Sequence, residues 1–512
     1  MELHTVLVTR FHKYMKYIGQ YICKFFWPML FSVGLFSVSI PPIDIWWHLQ
    51  IGRDILVHRL WPSPDIYSYT TDRSWVVHSW LADCLFFLYW SIVEWIKPNR
   101  GDVGLEILRR FILISTSLMA YYRVKKRTGN DYLSLLTIIF FACLLWNREI
   151  RPFLFNPIFF LFTNILFLKN KPNCSDWFVF PLLFMLWANV HGAFIIPIIV
   201  YVFTLCINII LYYVRGLTHH KASWHFLFFI CSLVTFINPH PVGLLSRIIR
   251  ANEYPSEDWL SLYAGFIAYP WVNLLLFAVF IIILSFWIFS IFKSGNLCNH
   301  LGNASYLSEI LYILLAIAHI RLTWLIIFPW IEACVRFDKY RGNLKKRECN
   351  YNLLLSIFLL GFFLQIPIPF EGVFQMPKET MDYFTMNNLH GNVFTPWPWG
   401  GYITWRTDKR AQNFVDTRIE PFTLREIEIA STFPIMPIRL LGEMVIRYKT
   451  EYIIINTHDL KPEWDFLTSQ EFISPIYQYN KIFIYHINTP NVLNFYRDKQ
   501  WIHDFKFSDK PF

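Results

Sequence analysis

Long apolar runs recur along this chain of 512 residues, from residue 22 to residue 368. Many of them are about as long as a helix that crosses a bilayer. Because 55% of the residues are hydrophobic and only 16% are charged, we predict a polytopic α-helical membrane protein with about 10–13 transmembrane helices. The net charge of +10 comes largely from basic residues in short loops. That distribution is typical of cytoplasmic loops and argues against a nucleic-acid partner.

The composition changes at about residue 370. We therefore predict a transmembrane domain over 1–369 and a water-exposed α/β domain over 370–512. Short runs typical of β-strands follow in the second domain, separated by turn and helix signals; they cover residues 392–396, 400–405, 413–418, 451–456 and 481–487.

Charge predicts the orientation of the chain in the membrane. The basic segments 215–221 and 338–349 should be cytoplasmic, which places the C-terminal domain outside. The same counting places the loop 44–78 and the later polar breaks outside. The membrane crossings counted from the N-terminus and those counted from the C-terminus disagree between residues 97 and 130. We expect one segment there not to cross, and the run 105–122, which carries Arg109 and Arg110, is the candidate.

The end of the first apolar run carries an unusual polar stretch, "PPIDIWWHLQIGRD". Asp44 stands at the predicted membrane boundary, where a carboxylate is often functional. Residues 44–60 have the pattern of an amphipathic helix in the interface, with Trp46 and Trp47 as anchors. The alternative interpretation is an interfacial anchor in which Asp44 only caps the helix.

Further polar residues interrupt or end apolar runs, and the predicted topology gathers most of them on the outer face. Arginine suits bidentate phosphate binding, histidine suits proton transfer or phosphate binding, and buried amides suit cavity lining. Each also has a structural interpretation: a solvated residue, a core hydrogen bond, a positive-inside charge or a local ion pair in a turn. The candidate binding residues are His48, His78, Asp83, Arg148, Arg151, Asn189, His191, Asn238, His240, Glu257, Arg321, Asp416 and Arg418.

The order of several motifs resembles a group of bacterial polytopic proteins that is similar to the GT-C glycosyltransferases. The motifs are "DIWWHLQIGRDIL", "HSWL", "RPFLF", "WANVHGAF", "NPHPVG", "EDWL", "WPWGGYITWR" and "FVDTR". In GT-C enzymes an acidic residue of the first outer loop acts as the base or orients the acceptor, and Asp44 occupies that place. Two positions depart from the pattern: Ile45 follows Asp44 where a second acid is usual, and Ser79 replaces a glutamate. Asp65 or Asp83 could then share the role.

The resemblance implies transfer of a sugar from a polyprenyl-phosphate donor, at the outer face of the bacterial inner membrane, to a glycan or protein acceptor. Membrane lipid is an expected partner. The resemblance specifies no cofactor and leaves open whether a divalent metal takes part. Three alternatives stay open: a ligase or polymerase of surface polysaccharide, a transporter or flippase, and a non-catalytic assembly protein.

Overall fold

The computed structural model describes residues 28–36, 43–73, 75–145, 149–216, 220–249, 270–294, 303–341, 376–418, 420–456 and 461–497. A short helix, α1, covers residues 28–35. The helices that follow it in the first part of the chain are α2 (Ile45–Arg53), α3 (Trp80–Ile96), α4 (Gly101–Thr128), α5 (Asp131–Leu145), α6 (Asn156–Phe167), α7 (Asp176–Val190), α8 (Ile195–Arg215), α9 (Ala222–Val234), α10 (Pro241–Ile249), α11 (Pro270–Ser294), α12 (Ala304–Ala318) and α13 (Ile327–Arg341).

Local sequence explains the length of α4, the longest helix described in this part. Asp102 lies in its first turn, while Lys125, Lys126 and Arg127 lie in its last turn. These charges complement the helix dipole at both ends. Gly129 ends the helix with a φ of 67°, a left-handed conformation that glycine adopts at little cost. The run 105–122 is therefore part of one continuous helix.

Two described helices are long and apolar enough to cross a membrane, within Gly192–Val214 and Leu276–Lys293. Five shorter apolar helices of 10–17 residues accompany them. The two long helices bury only 33% and 22% of their apolar windows inside the protein. An apolar helix exposed on most of its surface suits a lipid environment. The larger number of crossings expected from the sequence stays a prediction.

The C-terminal part contains a five-stranded mixed sheet with helices on its flanks. The strands are β1 (Gly391–Phe394), β2 (Ala411–Asn413), β3 (Tyr452–Asn456), β4 (Ile473–Tyr479) and β5 (Ile482–Ile487), in the spatial order β2-β1-β3-β5-β4. β1 runs parallel to β2 and β3, and β5 is antiparallel to β3 and β4. The helices are α14 (Lys378–Met386), α15 (Gly400–Thr407), α16 (Leu424–Thr432), α17 (Pro437–Ile446), α18 (Lys461–Ser469) and α19 (Thr489–Arg497).

The central strand β3 has a hydrophobic core on each face. Ile453 and Ile455 belong to a core inside the C-terminal part, because alternate side chains of a strand point to opposite faces. Ile454 belongs to the large core that also contains the helices α3 to α13. The C-terminal sheet and the helical part are thus packed against one another.

The strand predictions were right for 451–456 and 481–487, which form β3 and β5, and for the start of 392–396. The prediction for 400–405 was wrong, because this segment is the helix α15. A Cβ on Gly400 would lie 2.5 Å from the carbonyl oxygen of Val415. Glycine is needed there for close packing of the helix and not for a strand turn.

Within the segment 44–60, α2 and the π-helix Asp54–His58 that follows it confirm the predicted helix over most of its length, but α2 is not a surface anchor. Every residue from Ile45 to Gly52 is buried. Trp46 packs edge-on against Tyr402 with ring centroids 4.8 Å apart. A Cβ on Gly401 would lie 3.3 Å from the backbone nitrogen of Trp47. The prediction that Trp46 and Trp47 anchor in lipid headgroups was therefore wrong, since α15 of the C-terminal part packs against them.

Candidate active site

Two carboxylates share one guanidinium next to the start of α2. Asp44 immediately precedes α2, and Arg151 immediately precedes a short 3-10 helix, Pro152–Phe155. Asp44 Oδ2 lies 3.1 Å from Arg151 Nη1. Arg151 Nη2 also donates to Glu149 Oε1. The side chains of Asp44 and Arg151 are 15% and 22% exposed, so a substrate can reach both.

Glu149 holds the turn that carries Asp44. Its Oε2 accepts the backbone N–H groups of Ile43 at 2.9 Å and of Asp44 at 3.2 Å. Burial raises the pKa of Glu149, and the neighbouring Arg151 opposes that rise. Sequence reasoning missed Glu149, because a carboxylate between Arg148 and Arg151 suggests a local ion pair. The structure thus supplies an acidic neighbour for Asp44 from a segment 105 residues away.

His48, four residues after Asp44 on α2, forms a buried pair with Asp83 of α3. His48 Nδ1 lies 2.6 Å from Asp83 Oδ1, and Ser79 Oγ donates to the same oxygen at 3.1 Å. The imidazole also stacks on Trp47, with ring centroids 3.5 Å apart. Both residues are almost inaccessible, with 2% and 0% exposure. Their contacts join α2 to α3, and a role in substrate binding stays a prediction.

His191 and His78 face each other, with ring centroids 6.4 Å apart. His191 Nδ1 accepts the backbone N–H of Ala193 at 3.1 Å, and Asn156 Nδ2 lies at the same distance. Because Nδ1 is the acceptor, the proton of a neutral His191 resides on Nε2. Phe153, two residues after Arg151, packs 6.1 Å from the His191 ring. Burial, assisted by nearby Arg247, holds the pKa of His78 well below its ordinary value.

The amides Asn189 and Asn238 join the end of α7 to the turn before α10. Asn189 Oδ1 accepts from Trp80 Nε1 at 2.7 Å, and its Nδ2 donates to the Ile237 carbonyl oxygen at 2.8 Å. Asn238 Nδ2 donates to the Ala188 carbonyl oxygen at 3.1 Å. These bonds satisfy the amides structurally, whereas His240 stays unpaired at Nε2 among the described residues. Substrate binding by the three residues stays a prediction.

Asp416 and Arg418 form a separate buried cluster with Asp65 of the first loop. Arg418 Nη1 lies 2.5 Å from Asp65 Oδ1, and Nη2 lies 2.7 Å from Asp416 Oδ2. Burial disfavours the charge, but the two carboxylates together hold the pKa of Arg418 above its ordinary value. With 1% of its side chain exposed, Arg418 joins Asp65 of the segment 43–73 to the C-terminal part. Ligand binding by Asp416 and Arg418 was predicted from sequence, and it stays a prediction.

Three predicted residues cannot be placed at the site. Arg148 and Glu257 lie outside the described residues, and the side chain of Arg321 is likewise not described. In the part of the chain that the structure describes, histidine, cysteine and acidic side chains do not gather in threes suited to a metal ion.

Comparison with solved structures identifies the architecture. No protein-family model and no curated protein matches the sequence. The oligosaccharyltransferase of Archaeoglobus fulgidus, tethered to an acceptor peptide, matches 84% of this chain and 68% of its own, with 12% identity and a TM-score of 0.54. The same enzyme with an inhibitory peptide and a dolichol-phosphate matches 89% and 73%, with 12% identity and a TM-score of 0.52.

The arabinofuranosyltransferase AftD from Mycobacteria matches 90% of this chain but only 39% of its own length, with 12% identity and a TM-score of 0.51. Oligosaccharyltransferase and AftD are both GT-C glycosyltransferases. At this identity the likeness concerns the fold alone. The resemblance inferred from the motifs is therefore confirmed in three dimensions, and this chain has the fold of the GT-C glycosyltransferases.

Proposed function

We propose that the protein is a membrane glycosyltransferase that moves a sugar from a polyprenyl-phosphate donor to an acceptor at the extracytoplasmic face. The observation that carries the proposal is the position of Asp44. This partly exposed carboxylate is held by Arg151 at the start of the first loop in a GT-C fold. A structural neighbour in complex with a dolichol-phosphate supports a lipid-linked donor.

In the proposed reaction Asp44 takes the proton of an acceptor hydroxyl. At the same time the oxygen of that hydroxyl attacks the anomeric carbon of the donor sugar. A new carbon–oxygen bond forms, and the bond to the lipid phosphate oxygen breaks with its electron pair. In this proposal Arg151 and the Nε2–H of His191 stabilise the phosphate that leaves. A single displacement of this kind inverts the anomeric centre.

Glu149 has a positioning role in this proposal. Its carboxylate accepts the backbone N–H groups of Ile43 and Asp44 and also accepts from Arg151. It therefore fixes the direction of the base and of the cation together. The two carboxylates share a guanidinium and have no third metal-ligating side chain among the described residues. The positive group that the proposal uses is Arg151.

The contacts of α3 favour a specific topology. Near its start, a Cβ on Gly52 of α2 would lie 2.3 Å from the Asp83 carbonyl oxygen. In its second half, Trp90 packs edge-on against Trp405 of α15, with ring centroids 4.9 Å apart. We infer from these contacts that α3 runs along the extracytoplasmic part instead of crossing the bilayer. Taking α3 as the segment that does not cross removes the conflict in the charge counts, as taking the run 105–122 also would.

The experiment measures release of polyprenyl phosphate by membranes given lipid-linked sugar and acceptor. Asp44→Asn should reduce the rate by about 100-fold or more, as expected for loss of a general base. Glu149→Gln should reduce the rate while Asp44 stays in place. Asp72→Asn, an exposed carboxylate of the same loop, is the matched control and should have no effect. All variants are compared at equal amounts of protein.

Full transfer by Asp44→Asn at the wild-type protein level would refute the role of Asp44. Release of a polyprenyl diphosphate in place of the monophosphate would instead identify a polysaccharide polymerase or ligase. A transporter or an assembly protein would release neither lipid.

A further inference from the structure

Asn156, the first residue of α6, is a buried amide that contacts a different partner at each end. Its Oδ1 accepts from Trp187 Nε1 at 2.9 Å, and its Nδ2 lies 3.1 Å from His191 Nδ1. Asn156 and Trp187 are both completely buried, with 0% exposure. Trp187 also packs edge-on against Phe160, with ring centroids 4.8 Å apart. Close packing holds such side chains in one rotamer, so the amide presents a fixed end to His191.

The chemistry of these groups decides which atom donates and which accepts. An indole nitrogen only donates, so the atom of Asn156 that faces Trp187 is the carbonyl oxygen. The amide nitrogen, which only donates, is then the atom that faces His191. The backbone N–H of Ala193 points to the same imidazole nitrogen, at 3.1 Å. His191 Nδ1 therefore meets two donors and has to accept from them, which leaves the ring proton on Nε2.

Two donors at Nδ1 also disfavour a charged imidazole. An imidazolium carries a proton on Nδ1 as well as on Nε2, so both N–H groups would lose their acceptor. The ring of His78 faces His191, with centroids 6.4 Å apart. The other groups that act electrostatically on His78 are Arg247 and His48, and neither brings a negative charge. We therefore expect His191 to stay neutral and to donate through Nε2.

One short segment carries both Arg151 and Asn156. Arg151 immediately precedes the 3-10 helix Pro152–Phe155, and Asn156 follows that helix directly. Phe153 of the 3-10 helix packs 6.1 Å from the His191 ring. The guanidinium and the imidazole that the proposed function assigns to the leaving phosphate are thus connected through this helix and the amide after it.

We infer that Asn156 is a positioning residue: held by Trp187, it fixes His191 as a neutral hydrogen-bond donor through Nε2. The inference rests on the proposed function, in which His191 stabilises the leaving phosphate. Asn156 acts through His191 and does not contact the substrate. Asn156→Asp keeps the shape of the side chain but reverses the hydrogen bond, because a carboxylate only accepts and favours a proton on Nδ1.

The first test is ¹⁵N NMR of the full chain in nanodiscs, with ¹⁵N-labelled histidine. Loss of signals in His191→Ala assigns the resonances of His191. In the wild type, Nδ1 should be unprotonated and Nε2 protonated at about pH 7.5 and at about pH 6. In Asn156→Asp, Nδ1 should be protonated. The wild-type spectrum tests the inference even where the variant fails to fold.

The second test measures transfer of the lipid-linked sugar as a function of pH. In Asn156→Asp an imidazolium keeps its Nε2 proton at low pH, whereas at high pH the one remaining proton lies on Nδ1 beside the carboxylate. The rate of the variant relative to wild type should therefore fall as the pH rises, to a loss of about 100-fold, as for removal of one oxyanion donor. A merely structural defect would lower this ratio equally at every pH.

Asn164→Asp is the matched control. Asn164 lies on the same helix, is 5% exposed, and donates from Nδ2 to the Phe160 carbonyl oxygen at 2.9 Å. The same substitution there should leave the protonation of His191 unchanged and should give a rate ratio that does not depend on pH.

Four results would overturn the inference. They are a protonated Nδ1 in the wild type, an unprotonated Nδ1 in Asn156→Asp, a rate ratio of Asn156→Asp that is independent of pH, and full transfer by His191→Ala. Failure of the positioning role is distinguishable from failure of the proposed function. A flat ratio beside loss of transfer in Asp44→Asn removes only the role of Asn156. Full transfer by Asp44→Asn removes the proposed base, while the spectra still decide how His191 is protonated.

Discussion

Replacing Arg418 by methionine should destabilise the junction between the first loop and the C-terminal domain strongly. Arg418 and its partners Asp65 and Asp416 are almost completely buried, with side-chain exposures of 1%, 0% and 1%. The guanidinium bonds both carboxylates and lies 4.8 Å above the Trp75 ring. Methionine keeps most of the volume and removes the only described cation in the cluster.

The loss of unfolding free energy follows from the two carboxylates that stay buried without their cation. Breaking one buried ion pair by removing a partner typically costs about 3–5 kcal/mol, because a charge stays buried without compensation. Here two carboxylates lose the same partner, so the lower bound of the loss in unfolding free energy is about 3 kcal/mol. For the C-terminal part, which the sequence predicts at residues 370–512, the midpoint of thermal unfolding should fall by on the order of 10 °C.

The assay is thermal unfolding of the purified protein in nanodiscs, followed by tryptophan fluorescence. Arg406→Met is the matched control, because Arg406 pairs with Asp382 in the same domain at 28% and 32% side-chain exposure. A pair this exposed contributes about 0–1 kcal/mol. Combining Arg418→Met with Asp65→Asn and Asp416→Asn should recover part of the loss. Equal midpoints for the Arg418 and Arg406 variants would refute the reasoning.

Two further predictions concern pH and topology. His78 has a folded-state pKa lowered by burial and by Arg247, so its contribution to stability is present above about pH 6.5 and is lost as the pH falls below that value. His78→Gln should therefore remove about 1.4 kcal/mol of the difference in unfolding free energy between pH 7.5 and 5.5. The control is His390→Gln, because His390 is exposed. An unchanged pH dependence of stability in His78→Gln would contradict the lowered pKa of His78. For topology, alkaline phosphatase fused after residue 99 should be active and fused after residue 129 inactive, if α3 stays outside and α4 crosses; an inactive fusion after residue 99 would show that α3 crosses.

Much of the fold could be predicted from local patterns. The short runs of β-branched and aromatic residues in β3 and β5 and the helical pattern after Asp44 are local signals, and the structure contains these elements. The segment 400–405 has the same aromatic and β-branched composition as a strand but folds as α15. Its two glycines pack against α2 and the Val415 carbonyl. That requirement is tertiary and leaves no local signal.

The candidate site was only partly predictable, because its geometry depends on distant segments. Asp44 was found from its place at the end of an apolar run. Glu149 was not, since its bonds to Ile43 and Asp44 span 106 and 105 residues. The burial of His48 and Asp83 was hidden as well. His48 looks exposed in an interfacial segment, and Asp83 stands at the start of an apolar run, until α2 is placed against α3.

The position of Asp44 results from two independent restraints on α2. At its end, Arg53 packs on the Trp405 ring at 3.6 Å and pairs with Asp408 at 3.2 Å. At its start, Glu149 and Arg151 hold the Asp44 turn. The first restraint belongs to the C-terminal domain and the second to the segment before α6. A carboxylate oriented from both sides loses little freedom when a substrate binds, which is the condition that a positioned general base requires. The C-terminal domain therefore acts on the proposed chemistry through α2, without supplying the base itself.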